Sequence, residues 1–256
     1  MNPAGLEASS IIAHPRGRPR LARAAVLSLA VAIVATSVAF AAGKPGYPTR
    51  VIWSGASWQV KTSTSAVGPG PNVFLAANVS VDASGFLHLR ISQAAGKWTC
   101  AEVIGPTSFG YGTYSFIVRS SLAGFDPNVV LGMFTWSDRA RYAHREIDIE
   151  VANWGNPADP TNAQFVVQPW DTANHLRRFT EPAAVRTLQQ FTWRAGQVTW
   201  VVRDLDANAE VVRHVYTGAD VPIPGDERVR LNLWLFSGSA PAGPAEVVVE
   251  SFAFTP

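Results

Sequence analysis

From Lys44 onward the chain never sustains a helical period, because Gly, Pro, Asn and Asp break it at short intervals into runs too brief for helices. That punctuation leaves strands of about five to eight residues as the building unit. GFLHLRIS (Gly85 to Ser92) and GTYSFIVR (Gly112 to Arg119) alternate apolar with polar residues. NVVLGMF (Asn128 to Phe134), AQFVVQ (Ala163 to Gln168), QVTWVV (Gln197 to Val202), EVVRHVY (Glu210 to Tyr216), RLNLWLF (Arg230 to Phe236) and EVVVESFAF (Glu246 to Phe254) read as nearly continuous apolar strands. Strands at this density predict an all-β sandwich, and strands buried on one face and partly covered on the other suit a curved jelly roll of two antiparallel sheets. Nine Trp and 13 Phe against two Met point the same way, to aromatic bulk packed on sheets.

No internal repeat is visible and no linker interrupts the span from Pro48 to Pro256, so residues 42–256 are expected to form a single domain. GPGPN (Gly68 to Asn72) and SAPAGPA (Ser239 to Ala245) are short enough to be loops. GYPTR (Gly46 to Arg50) reads as a flexible leader to the domain.

The net charge of +2 invites a nucleic-acid reading, but the basic residues are unevenly placed. Arg16, Arg18, Arg20 and Arg23 precede a long apolar run, and Glu7 is the only acid among residues 1–41. Without that segment 17 basic residues face 18 acidic ones, so phosphate binding is excluded as the main business of the domain. The segment itself has the plan of an export signal over residues 1–41: an Arg-rich start, the apolar run Ala24 to Ala42, and small residues at Ala39 and Ala41 that offer cleavage after Ala41. An uncleaved membrane anchor over residues 24–42 is the alternative. Either way the arginines stay inside and the domain is sent outside, secreted or tethered facing outward. Cys100 is alone, so no internal disulfide forms, and it is expected to be a buried small hydrophobe.

One segment resists a purely structural account. In REIDIEV, Glu146, Asp148 and Glu150 occupy every second position of a strand, so they stand on one face while Ile147, Ile149 and Val151 pack behind them. Neighbours in that row are about 7 Å apart at Cα, close enough to repel. A solvated edge strand is one explanation. A metal site is another, but three carboxylates on a flat strand wrap a cation poorly. Glycosidic chemistry is the third: side chains leaning from Cα atoms about 13 Å apart bring the Glu146 and Glu150 carboxyls to about 5 Å, the separation of a retaining glycosidase. Asp148 between them splits the neighbouring pKa values, so that one carboxyl is ionised while another keeps its proton.

These residues resemble the E-x-D-x-E signature of glycoside hydrolase family 16, the laminarinases, lichenases, agarases and their relatives, in its unbulged form. SFGYGTYSFIVR (Ser108 to Arg119), VLGMFTW (Val130 to Trp136) and RLNLWLF resemble further strands of that family, and the likeness spans roughly Trp98 to Phe254. The resemblance implies a concanavalin-like jelly roll with a cleft on its concave face and a retaining hydrolysis of a β-linked polysaccharide, glucan or galactan. Glu146 would be nucleophile, Asp148 the assisting acid, and Glu150 the general acid and base. A non-hydrolytic carbohydrate-binding protein and a transglycosylase are the alternatives on the same fold. Glu102 matches a substrate-facing Glu of lichenase-like members. Ile104 stands where those members carry an Arg, Val166 where they carry a sugar-binding Asn, and Glu250 where several have a calcium-ligating Asp. No cofactor is expected; calcium is the one metal the resemblance raises.

Sugar rings stack on aromatic planes, which makes Trp136, Trp154, Trp170 and Trp234 the candidates for the cleft floor. Trp193 and Trp200 fall in strongly apolar runs and are assigned to the core or the convex face. Gln168 and Asn232 are candidates to bond sugar hydroxyls, Asn232 sharing a face with Trp234. His144 shares the parity of Glu146 and is placed at the cleft edge, whereas Arg145 has the opposite parity and points away. His175, Arg177 and Arg178, in DTANHLRRF, read as a solvated polar loop. The expected partner is a polysaccharide, with no nucleic acid, and the expected state is a monomer.

Overall fold

The computed structural model describes residues 45–256. The export segment, with its cleavage point and its anchor alternative, lies outside the described residues. Among the described residues no helix is long and apolar enough to cross a membrane.

Among the described residues sixteen strands follow one another. They are β1 (Gly46–Trp53), β2 (Ala56–Thr62), β3 (Val79–Val81), β4 (Leu87–Ala94), β5 (Lys97–Thr99), β6 (Ala101–Ile104), β7 (Gly112–Val118) and β8 (Val129–Trp136). Then come β9 (Ile147–Val151), β10 (Ala163–Val167), β11 (Leu176–Phe179), β12 (Thr187–Arg194), β13 (Gln197–Asp204), β14 (Ala209–Thr217), β15 (Arg228–Leu235) and β16 (Ala245–Thr255). The first sheet has the order β1-β2-β6-β15-β8-β9-β10-β11, and the second β14-β13-β12-β7-β16-β4-β3, with β5 paired to β4. The all-β jelly roll of two antiparallel sheets is therefore what the chain forms.

The core lies between the sheets and follows the alternation of the sequence. Tyr114, Phe116 and Val118 of β7 turn inward and are buried, as are Phe191 and Trp193 of β12 beside them. From the first sheet Ile147, Ile149 and Val151 of β9 meet them, all fully buried. Tyr114 stacks on Phe191 at 4.6 Å between centroids, and Phe165 of β10 on Trp200 of β13 at 5.6 Å. Each fully buried large side chain contributes about 1.5–3 kcal/mol. Trp193 and Trp200 are core residues, as assigned from the sequence. Cys100 is buried and unpaired, and burial pushes its thiol up to about 12.

Two segments differ from expectation. GYPTR is no leader: it begins β1, the edge strand of the first sheet. Pro48 removes a backbone donor, which an edge strand tolerates. Within DTANHLRRF, Leu176–Phe179 is β11, the opposite edge of the same sheet.

The antiparallel register sets up rows of residues across the outward face of the first sheet. One row runs Ile104, Arg230, Phe134, Asp148, Val166; the next runs Glu102, Asn232, Gly132, Glu150, Gln164. Residues far apart in sequence thus become neighbours through strand pairing alone.

Candidate active site

β9 lies between β8 and β10, inside the sheet. The solvated-edge explanation of its carboxylates therefore fails. Asp148 is 2% exposed, while Glu146 and Glu150 are half-buried, and all three line one cavity of about 290 Å³.

Each carboxyl has a different neighbour. Gln168 Nε2 donates to Asp148 Oδ2 at 3.1 Å. Gln164 Nε2 donates to Glu150 Oε2 at 2.7 Å, and Gln164 Oε1 accepts from Trp154 Nε1 (3.2 Å) and Arg178 Nη1 (3.3 Å). With two donors on its oxygen, the Gln164 amide has to turn its nitrogen to Glu150. From the second sheet, Trp200 Nε1 donates to the backbone carbonyl of Asp148 at 3.1 Å.

Burial is the largest cause raising all three carboxyls above the ordinary range. For Glu146 the next cause is the charge of Glu150; for Asp148 it is the charges of Glu146 and Glu150. A hydrogen bond between Asp148 and Glu146 lowers the second and raises the first, so the proton of that pair belongs on Asp148. Gln164 and Arg178 pull Glu150 back down, against its burial. Glu146 is pushed up to about 8 and Glu150 to about 7, so every carboxyl of the row holds its proton above the ordinary range, and within the Asp148–Glu146 pair the hydrogen bond favours the proton on Asp148.

The other sequence candidates fall into two groups around this row. Glu102, Asn232 and Trp136 line the first cavity, with Trp234 shared by a second cavity of about 430 Å³. That second cavity adjoins Glu150 and is walled by Trp154, Trp170, Trp234, Phe236, Leu176 and Gln168. Trp170 is 61% exposed at its rim. His144 lines neither cavity. The parity argument fails for it because the chain is not a strand there: Tyr142, Ala143, His144 and Arg145 all have positive φ. Its ring instead lies flat on Trp136, 4.0 Å between centroids, and braces that wall. Arg145 turns away from the cavity, its Nε donating to the Ile223 carbonyl at 2.9 Å.

The solvated reading of DTANHLRRF holds for Asp171 to Asn174 and for Arg177, and fails for His175 and Arg178. His175 is 4% exposed, its Nε2 2.7 Å from Asp220. Arg178 is held by Asp159, Thr161 and the Ala152 carbonyl, which fixes the guanidinium behind Gln164.

Sequence reasoning missed several residues of the site. Arg230 has the parity of Asn232 and Trp234 in the same run, and Gln164 that of Gln168, so both were within reach. Tyr47 and Lys61, which also line the first cavity, carry no local signal.

Calcium does not fit at Glu250. Both its oxygens are taken by Arg186 at 2.7 Å, and Arg119 adds a third contact at 3.2 Å, so guanidinium groups occupy the positions a cation would need. No cluster of metal-ligating side chains occurs among the described residues.

No protein-family model matches the chain. It is similar to a β-glucanase of Paenibacillus macerans, 25% identical over 208 residues that cover 79% of this chain and 81% of the relative. Its fold is similar to that of a Bacillus licheniformis β-glucanase, with a TM-score of 0.62, 21% identity, and coverage of 84% of this chain and 99% of the other. A glycoside hydrolase family 16 endo-glucanase from Bacteroides ovatus matches with a TM-score of 0.56 and 12% identity over 77% of this chain and 94% of that one. The chain resembles glycoside hydrolase family 16 in sequence and in fold. Two of the departures from family 16 sit on the outward face of the first sheet, while Glu250 lies on β16 of the second. Ile104 is buried opposite Arg230, and Val166 is buried between Gln164 and Gln168. The cation missing at Ile104 reaches Glu102 from the neighbouring strand, through Arg230 Nη1 at 3.2 Å.

Proposed function

We propose that this chain is a family 16 glycosidase that cleaves β-linked glucan chains internally with retention of configuration. The observation that carries this is the row of three unlike carboxyls on the floor of a cavity open across the sheet. Glu146 in its ionised form, accepting a hydrogen bond from Asp148, attacks the anomeric carbon while Glu150 protonates the departing glycosidic oxygen. Glu150 then takes a proton from water, and the hydroxide so generated releases the sugar from Glu146. Gln164 keeps Glu150 aimed at the same oxygen in both steps. The second cavity, on the Glu150 side, offers aromatic planes for the leaving part of the chain. Cavities on both sides of the scissile position support endo action, and the export-type N-terminal segment supports action outside the cell, where such polymers are met.

The test is hydrolysis of a panel of β-glucans and galactans by the wild type and by Glu146→Gln, with the anomeric configuration of the first product followed by NMR. The expected result is a β-configured product from glucan and a loss on the order of 10³-fold or more in the variant, equivalent to about 4 kcal/mol of barrier. An inverted product, or undiminished turnover by the variant, rejects the assignment.

A further inference from the structure

His175 is buried at the end of the segment that joins β10 to β11, and it lines neither cavity. Both nitrogens of its ring face oxygen. Nδ1 lies 3.0 Å from the Pro169 carbonyl, while Nε2 lies 2.7 Å from Asp220 Oδ2 and 2.9 Å from the Tyr216 hydroxyl. That hydroxyl donates its hydrogen to Asp220 Oδ1 at 2.7 Å. Gly218 leaves room for the pair, since a Cβ there would run into Asp220 Oδ1 and the Tyr216 hydroxyl.

Only one assignment of hydrogens satisfies every atom. A backbone carbonyl only accepts, so Nδ1 carries a hydrogen. The bond from Tyr216 holds the Asp220 carboxyl below the usual carboxylate range, so it is ionised and only accepts as well. Nε2 then carries a hydrogen too, and the ring is an imidazolium. A neutral ring would set a lone pair against either the carbonyl or the carboxylate. Asp220 and Tyr216 are the titratable groups that meet the ring from β14 and the segment after it; Arg177, two residues further along β11, is exposed. The bond to Pro169 lies next to the carboxylate row. Gln168 Nε2 donates to Asp148 Oδ2 at 3.1 Å, while Gln168 Oε1 accepts from Trp170 N at 2.9 Å. The Pro169 carbonyl between those two residues is held by Thr172 N at 3.2 Å and by the His175 ring. A shift of that carbonyl turns Gln168 on one side and Trp170 on the other.

We propose that His175 is a positioning residue, a charged latch that fixes Pro169 so that Gln168 stays aimed at Asp148; it rests on the glycosidase function above. Asp220 and Tyr216, at the end of an edge strand of the second sheet, keep the latch charged. When the ring loses its proton, one of its two bonds is lost with it. Gln168 then drifts from Asp148, the carboxyl that shares a proton with Glu146. The latch touches no sugar, so it acts on the rate of the reaction and not on the binding of its substrate.

The test joins NMR of the ring to hydrolysis of a mixed-linkage β-glucan, in wild type, His175→Gln, Asp220→Asn and Gln168→Ala. Loss of the Glu150 proton also slows the reaction at high pH, so the ring is observed directly, with 15N-labelled histidine. Both ring nitrogens of His175 are expected to be protonated at about pH 6, and Asp220→Asn is expected to move the ring's titration down by about one pH unit. Each variant is expected to lower kcat by about 10-fold with KM within about twofold. Asp220 is half-exposed, so Asp220→Asn serves if His175→Gln does not fold. Combining either change with Gln168→Ala is expected to cost no more than Gln168→Ala alone, because both act through one contact. A neutral ring at about pH 6, full kcat in Asp220→Asn, or losses that multiply in the double variant overturns the proposal. If the wild type cleaves no β-glucan, the glycosidase function falls by itself, and the latch is read from the side-chain amide resonances of Gln168. They are expected to shift in His175→Gln and Asp220→Asn, and unmoved resonances overturn it.

Discussion

Glu181 lies at the end of the core, 2% exposed, with both oxygens accepting from Gln189 Nε2 at 3.1 Å. Burial pushes its carboxyl up to about 8. The folded chain therefore holds this proton more tightly than the unfolded chain does, and the stability linked to it is fully present below the ordinary carboxylate pKa of about 4.5 and is lost as pH rises to about 8. Glu181→Gln removes that loss. It is expected to be near neutral at pH 4 and to gain on the order of 3 kcal/mol at pH 7, seen as a flattened dependence of melting temperature on pH. An amide at 181 also offers a donor to Gln189 Oε1, which is buried and unpaired. A variant that melts lower at pH 7 would show that the amide packs worse than the acid. Single residues were legible where strand parity spoke for them, as with Glu146, Asp148 and Glu150. Glu181 gave no signal, because nothing local marks a loop carboxylate as buried.

The four residues before Glu146 form a left-handed turn without a single glycine: φ is 54° at Tyr142, 47° at Ala143, 63° at His144 and 54° at Arg145. Each such residue costs roughly 1–2 kcal/mol. The turn is clamped from the end of β8 and the residue after it, with Thr135 Oγ1 donating to the Arg145 carbonyl at 2.8 Å and Ser137 N to the His144 carbonyl at 2.7 Å. It swings the chain so that Glu146 enters the cavity. Ala143→Gly suits this backbone better and is expected to raise stability by about 1 kcal/mol in denaturant titration; a lower midpoint would mean that the Ala143 methyl packs more usefully than its strain costs. No glycine announces the turn, which is why strand parity carried one residue too far and misplaced His144. Pro48 hid β1 in the same way, since a proline inside a run speaks against a strand unless the strand is an edge.

At the scale of the molecule the two sheets are joined behind the site by Trp200, whose indole crosses the core to the Asp148 carbonyl. Trp200→Phe keeps an aromatic ring there and removes the donor. It is expected to lower stability by about 1–3 kcal/mol in chemical denaturation and to lower kcat more than it raises KM, because the strand it releases carries the proposed reacting groups. Unchanged kcat would mean that β8 and β10 hold β9 without help from the second sheet. The sandwich was legible because alternation and turn residues are local. The full composition of the cavity was not, since Tyr47, Lys61 and Arg230 join Glu102 only through cross-strand register. That register has a further meaning. The first cavity draws wall residues from β1, β2, β6, β15, β8 and β9, which are successive strands of the sheet. A polymer lying there crosses the strands at right angles to their run, and each strand passes beneath it about 4.8 Å after the last. On the proposed glycan cleavage the sheet is thus a ruler graduated in strands, and a branch or substituent would be accepted or refused according to which graduation it falls on.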